Sequence, residues 1–389
     1  MMRLFRRRAN DIVYPHQLIS AARWNWQGDY HTGLQLVREA RERFDEFYGR
    51  DQRSRAVAEG RADAEEGYAL AALDRWAEAE PLLARAILAL TEYTIGDRAD
   101  PDLVWAHLRL GIVHLRLGRP GPSLAHVENA LRLLETADPE EAKLRPARGV
   151  ALCNRAAVER VLGSREAALA SLDAAAACLP GDPVHQASCH IDRARVLHDL
   201  HRFPEMEASA KRAVDLLSGI GEASVTTVAT YAEAHGMYAH ALHAQGRHAE
   251  TLEIWAHVLE VAGQISEYME TPHSLVEAQI DYANALTESG DRLDEATALL
   301  EAAGAKLPPE AESRNAHRLN LYLHAVRAEN LEKQGRVHDA LAAAERSHES
   351  HARYFGDLAT VDRNDAMEQI TKIRDRLAAA AGTSGRLAE

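Results

Sequence analysis

The chain has 389 residues, 46% hydrophobic and 27% charged, with a net charge of −14. So acidic a body is a poor match for nucleic-acid phosphate, and no stretch reaches the ~20 apolar residues a bilayer span requires. Aromatics make up only 5%, and an apolar content built on Ala and Leu favours helices over sheets.

In chain order, residues 1–13 read as a basic tail. Met1 to Arg8 carries the charge of a signal-peptide start, but Ala9-Asn10-Asp11 stands where an apolar segment would follow. From Tyr14 a short pattern recurs: a polar or glycine pair, then a small residue opening a new helical run. It appears at Gly28-Asp29-Tyr30, Asp74-Arg75-Trp76, Gly118-Arg119-Pro120, Gly163-Ser164-Arg165, His201-Arg202-Phe203, Gly246-Arg247-His248, Gly290-Asp291-Arg292 and Gly335-Arg336-Val337. With Asp291 as the seventh anchor, successive steps are 46, 44, 45, 38, 45, 45 and 44 residues. Seven residues before each anchor stand Ala21, Gly67, Gly111, Ala156, Ala194, Ala239, Asn284 and Ala328. Twelve after stand Ala40, Ala86, Ala130, Ala175, Ala213, Val258, Ala303 and Ser347. Small residues at two fixed offsets let paired helices cross closely. Leucines at helical spacing run between them, and the anchor is the inter-helix turn, where glycine accepts the left-handed backbone that ends a helix. Pro and Gly clusters punctuate the joints, as in Pro180-Gly181-Asp182-Pro183 and Pro308-Pro309. Residues 14–355 thus form one all-α array of eight hairpins, since a repeat array of this length can be a single body. A capping helix follows within 356–381, with Met367, Ile370, Ile373 and Leu377 on its apolar face, and 382–389 is expected to be a disordered tail.

This pattern resembles the tetratricopeptide repeat family, whose signature is a small residue late in the first helix, a Gly-Asp/Arg-aromatic turn, and Ala five and twelve after the Gly. Unit four carries Ala156, Gly163, Ala168, Ala175 and the closing Pro180; unit two carries Gly67, Trp76, Ala79 and Ala86. Unit eight has Ala328, Gly335 and Ala340 but Ser347 in place of Ala. The period is about ten longer than the family's usual ~34 residues. The resemblance implies a right-handed α-solenoid whose first helices line a concave groove. Carried over by position, the groove holds Tyr68, Arg160, Arg195, His198, His240, His243, Asp281, Glu288, Tyr322, Glu329 and Glu332. Its middle is then basic and histidine-rich and its C-terminal third acidic, so an extended ligand is expected to present acidic groups at one end and basic groups at the other. The Lys and Asn of the family's carboxylate clamp are replaced by residues such as Ala157, Ala239 and Glu332.

No P-loop, dinucleotide fingerprint, HExxH, Gly-x-Ser-x-Gly or paired-Cys zinc motif is present, so no catalytic residue, cofactor or metal is assigned. Twenty histidines include the groups His235/His240/His243, His198/His201 and His348/His351. No Asp, Glu or Cys joins them at ligand spacing, and helix-surface filler is the plain account. Cys153, Cys178 and Cys189 cannot all pair and form no CxxC, which reads as three packing thiols in a reduced, cytoplasmic setting. The expected function is a non-enzymatic intracellular adaptor or regulator that captures a peptide or protein segment. The alternatives are a peptide- or small-ligand-sensing protein acting through a partner, and an accessory protein or enzyme of a biosynthetic pathway. No helix-turn-helix reader precedes Tyr14, self-association stays open, and the Ala- and Arg-rich style points to a bacterial source.

Overall fold

The computed structural model describes residues 14–25, 30–73, 75–93, 100–136, 144, 146–179, 181–220, 225–266, 273–290, 292–307, 314–355, 368 and 370–381. The basic tail at 1–13, the tail at 382–389, Met367 and the turn residues Gly28, Asp74 and Asp291 lie outside them. Among the described residues every regular element is helical. The hairpins are α1 (Pro15–Asn25) with α2 (Tyr30–Glu42), α4 (Gln52–Ala72) with α5 (Trp76–Tyr93), and α6 (Pro101–Arg116) with α7 (Pro120–Glu135). Then come α8 (Ala147–Val161) with α9 (Arg165–Ala177), α10 (Pro183–Asp199) with α11 (Phe203–Leu217), and α12 (Val225–Ala244) with α13 (His248–Ser266). α14 (His273–Ser289) with α15 (Leu293–Lys306) and α16 (Arg314–Lys333) with α17 (Val337–Phe355) complete the eight. The periodicity did not disclose a short helix, α3 (Phe44–Tyr48), which seats Phe44 in the core of the first two hairpins. A final helix, α18 (370–381), buries Ile370 and Leu377, with Ile373 partly buried. Leu377 and Ile373 close the apolar end left by α16 and α17, as a solenoid terminus requires.

One local device makes the turns. In unit six the Gly246 amide donates to the His243 carbonyl at 2.8 Å and the Arg247 amide reaches back to Leu242 at 3.0 Å. This double reversal needs a left-handed residue at its corner, and Gly246 has φ 77°. The same pair of bonds recurs around Gly118, Gly163, His201 and Gly335. Unit seven differs: Gly290, not Asp291, is the left-handed residue, and its amide bonds four residues back to Leu286. Counting from Gly290, the small residue of the first helix is Ala283, which is fully buried, whereas Asn284 is half-exposed. The second-helix count still runs from Asp291 to the buried Ala303, so this turn carries one extra residue. Several first helices begin on an Asp cap, with Asp51, Asp100 and Asp182 each accepting a first-turn amide.

The small residues pack as their spacing requires. Ala40, Ala86, Ala130, Ala175, Ala213 and Ala303 are fully buried. A Cβ on Gly67 would stand 2.7 Å from Leu83 Cγ, so these axes meet at a distance only glycine permits. Ser347 is buried in its alanine slot because its hydroxyl donates to the Leu321 carbonyl at 2.9 Å. Successive first helices pack on one another in an inner layer, α4 to α6 to α8 and onward to α16.

The cysteines correct the sequence reading. Cys153 on α8 and Cys189 on α10 are joined in a disulfide, their Cα atoms 6.2 Å apart, and Cys178 is free. Both lie at the joint between the first helices α8 and α10, and the partly buried Cys178 packs against the same apolar cluster.

Candidate ligand groove

The residues three before each anchor occupy the last turn of a first helix, where their carbonyls accept the turn amide. In units four, five, six and eight they are Arg160, His198, His243 and Glu332. Arg195, His240, Asp281, Tyr322 and Glu329 lie on earlier turns of the same first helices.

In space the arginines of the middle units are paired with carboxylates. Arg160 donates to Asp199 at 2.9 Å, and His198 lies 3.7 Å from the same carboxylate. Burial pushes the Asp199 carboxyl up, but the His198 hydrogen bond and the Arg160 charge outweigh it, leaving the group below its ordinary range. Arg195 is gripped by Asp192 at 2.7 Å and by Glu233 of the next first helix. Tyr68 lies under the Arg109 guanidinium, 4.4 Å from its ring centroid. Glu332 is held by Arg376 of α18. Asp199 escaped the sequence reading because it stands one residue past the template position of His198, whereas Glu233 stands on the template itself, thirteen residues before Gly246 as Tyr322 is before Gly335.

Further along, α12, α14 and α16 build one connected polar network. His240 lies 3.7 Å from Asp281, which accepts the Tyr322 hydroxyl at 2.8 Å, and His243 Nε2 is 2.7 Å from Glu288. Arg318 donates to Glu277 at 2.9 Å. Burial draws the His240 imidazole down, but Asp281, then Glu277 and Glu288, outweigh it and raise its pKa. Burial raises Glu277, yet Arg318 and then Arg195 and His240 carry it below its ordinary value. Glu329 goes the other way: burial first, then the neighbouring Glu288 charge, raises its carboxyl. Tyr322 is pushed well up by burial and by Asp281. Exposure varies across the network: His240 keeps 38% and Arg195 34% of the side-chain surface open, while Asp281 keeps only 7%. Counting the groups these contacts name from α10 to α18, seven carboxylates (Asp192, Glu233, Glu277, Asp281, Glu288, Glu329 and Glu332) stand among four cations (Arg195, Arg318, Lys333 and Arg376), so the network is net acidic.

The histidine groups separate. His235 points into its own hairpin, with Tyr231 and His257 rings 4.5 and 5.2 Å away. Burial, then His257, lowers it to about 4. His243 instead meets Glu288 and His248, an acidic partner the sequence reading did not find because it comes from the next unit.

No family model and no curated protein sequence matches this chain. Among solved structures it is similar to a Rap protein complexed with competence and sporulation factor, with TM-score 0.57 and 12% identity over 94% of this chain and 99% of that one. It is similar also to the apo form of RapI, with TM-score 0.54 and 8% identity over 94% and 98%. A tetratricopeptide repeat protein from Parabacteroides merdae aligns with TM-score 0.47 and 15% identity over 80% and 99%. At such identities the likeness is one of fold. With the recurrent turn, the buried small residues at fixed offsets and the inner layer of first helices, it shows that this chain has the fold of an all-α helical-repeat solenoid.

Proposed function

We propose that the protein is a non-enzymatic binding scaffold that takes up a peptide or protein segment along the inner face of its first helices, with basic side chains of the ligand set against the wall of α12, α14 and α16. The observation that carries this is the net acidic, partly open network running from Arg195 to Glu329. Because Arg160 and Arg195 are already neutralised by Asp199, Asp192 and Glu233, the wall offers a ligand mainly negative charge. The ligand's dominant charge is therefore positive, in place of the two-signed ligand expected from the sequence. The similar Rap structure, which is complexed with competence and sporulation factor, supports a scaffold that acts by holding another molecule. An action as a regulator inside the cell belongs to the same reading. Among the described residues no helix is long and apolar enough to cross a membrane.

Selection of a random-peptide display library on the full chain tests it. Enrichment of Lys- or Arg-bearing sequences is expected. Failure to enrich any sequence, or enrichment of acidic ones, overturns the proposal.

A further inference from the structure

Unit six brings two imidazoles together at its turn. His243 sits in the last turn of α12, the Gly246 reversal folds the chain back, and His248 opens α13. The two rings meet edge to face at 4.9 Å, with their Nδ1 atoms 3.3 Å apart. Two imidazole nitrogens that face each other at this distance cannot both carry a proton; at least one presents a lone pair. The next unit adds a carboxylate. Glu288 stands in α14 one residue past the position equivalent to His243 in α12, and its Oε2 lies 2.7 Å from His243 Nε2. One donor atom from each of His243, His248 and Glu288 falls within 4.8 Å of the others. The second Glu288 oxygen is held by the Asn284 amide at 3.4 Å, an outer contact of the kind that orients a ligating carboxylate.

We propose that His243, His248 and Glu288 form a site for a divalent transition-metal ion of the Zn²⁺ or Co²⁺ class, which ties the α12–α13 turn to the C-terminal end of α14. Two imidazoles and one carboxylate suit Zn²⁺ and its neighbours, whereas Ca²⁺ and Mg²⁺ take oxygen ligands. Bond lengths of about 2.0–2.2 Å to such an ion require only that the three side chains close in and that His243 turn one nitrogen to the metal. Three protein ligands leave a fourth position for water or a bound ligand. The site lies at the rim of the inner face but does not depend on the binding reading above, because the metal is measured without any peptide.

The experiment is calorimetric titration of the chelator-treated, full-length protein with Zn²⁺ near neutral pH, paired with the visible spectrum of its Co²⁺ form. One equivalent is expected to bind in the micromolar range or tighter, with a Co²⁺ spectrum of low coordination number. Loss of an outer contact alone weakens metal sites by about 10–100-fold, so His248→Ala and Glu288→Gln should each weaken binding at least that much. His185→Ala, which alters another exposed histidine–carboxylate pair, should leave it unchanged. His248 is the exposed first residue of its helix, and unchanged circular dichroism of its variant separates ligand loss from misfolding. Wild-type affinity in His248→Ala, or no stoichiometric binding by the parent protein, overturns the assignment.

Discussion

His201 is the one non-glycine residue with positive φ among those described, at 56°. It stands at the anchor that Gly118, Gly163, Gly246 and Gly335 fill elsewhere, and it makes the same two reversal bonds, His201 to His198 and Arg202 to Leu197, each at 2.9 Å. A side chain in this region costs roughly 1–2 kcal/mol, while glycine adds roughly 0.5–1 kcal/mol of unfolded-state freedom. His201→Gly is therefore expected to stabilise the protein by up to about 1 kcal/mol, read as a higher denaturant midpoint. An unchanged or lower midpoint would mean that the edge contact of His201 with Phe203 outweighs the backbone relief. The period of the repeat places this residue at a turn even though its type does not. That is why residue positions at the turns and crossings were legible in the sequence: the backbone there tolerates few residue types, so the same types return. Asn284 shows the limit, since one extra residue in the seventh turn shifts the first-helix count without leaving a mark in composition.

Between elements the ties are polar and long-range. Asn330 of α16 donates its amide to the Thr287 hydroxyl of α14 at 3.1 Å and to the Leu293 carbonyl of α15 at 3.2 Å. It accepts from Thr297 at 2.9 Å and from Gln334 at 2.8 Å. Asn330 and Thr287 are buried. Asn330→Leu keeps the volume but strands these groups, so a loss of on the order of 2 kcal/mol is expected. A chemical-denaturation midpoint within error of the parent would show that water replaces the amide. The α6–α7 hairpin holds a second tie. His107 and His126 face each other through Nδ1 atoms 3.0 Å apart, and His114 stacks on His126. Burial, then the His126 charge and Arg132, lowers His107 to about 4. The unfolded chain thus takes up a proton below pH 6.5 that the folded chain refuses until about pH 4. Stability from this group is complete above pH 6.5 and is lost as pH falls toward 4, by up to about 1.4 kcal/mol per pH unit. Urea midpoints at pH 7 and pH 5 should differ less in His107→Gln than in the parent. An equal difference would assign the acid sensitivity to the other buried histidines. None of these ties was legible beforehand, because their partners lie on neighbouring helices and no spacing rule links them. The helices themselves were, apart from α3, which follows no period.

At the scale of the whole molecule, the inner wall joins residues from successive units, and charge there acts as a sum. The sequence template read one helix at a time, as a basic and histidine-rich middle followed by an acidic third; Glu233 and Glu277, which it missed, set carboxylates beside Arg195 and Arg318 and add negative charge to that middle. Glu329 is the cleanest probe of that sum. Its carboxyl makes no ion pair within 4 Å among the described residues, and it is raised by burial and by Glu288, so a cationic ligand group would relieve an existing repulsion. Glu329→Lys removes that attraction and places a cation beside Glu288 without breaking an ion pair. Glu345→Lys makes the same charge change on α17, on an exposed second-helix position. Against a Lys- or Arg-bearing peptide selected on the parent protein, Glu329→Lys is expected to weaken binding more than about tenfold, with Glu345→Lys within twofold. The gap between the variants should narrow as salt rises and the screening length falls below its physiological value of about 8 Å. Under the proposed binding of a cationic segment, the loss falls mainly on the association rate, since charge steers encounter before contacts form. Stopped-flow measurement should therefore show the slower on-rate in Glu329→Lys at low salt. Equal affinities for the two variants would place the peptide elsewhere, and the outer faces of the second helices would be the surface to examine.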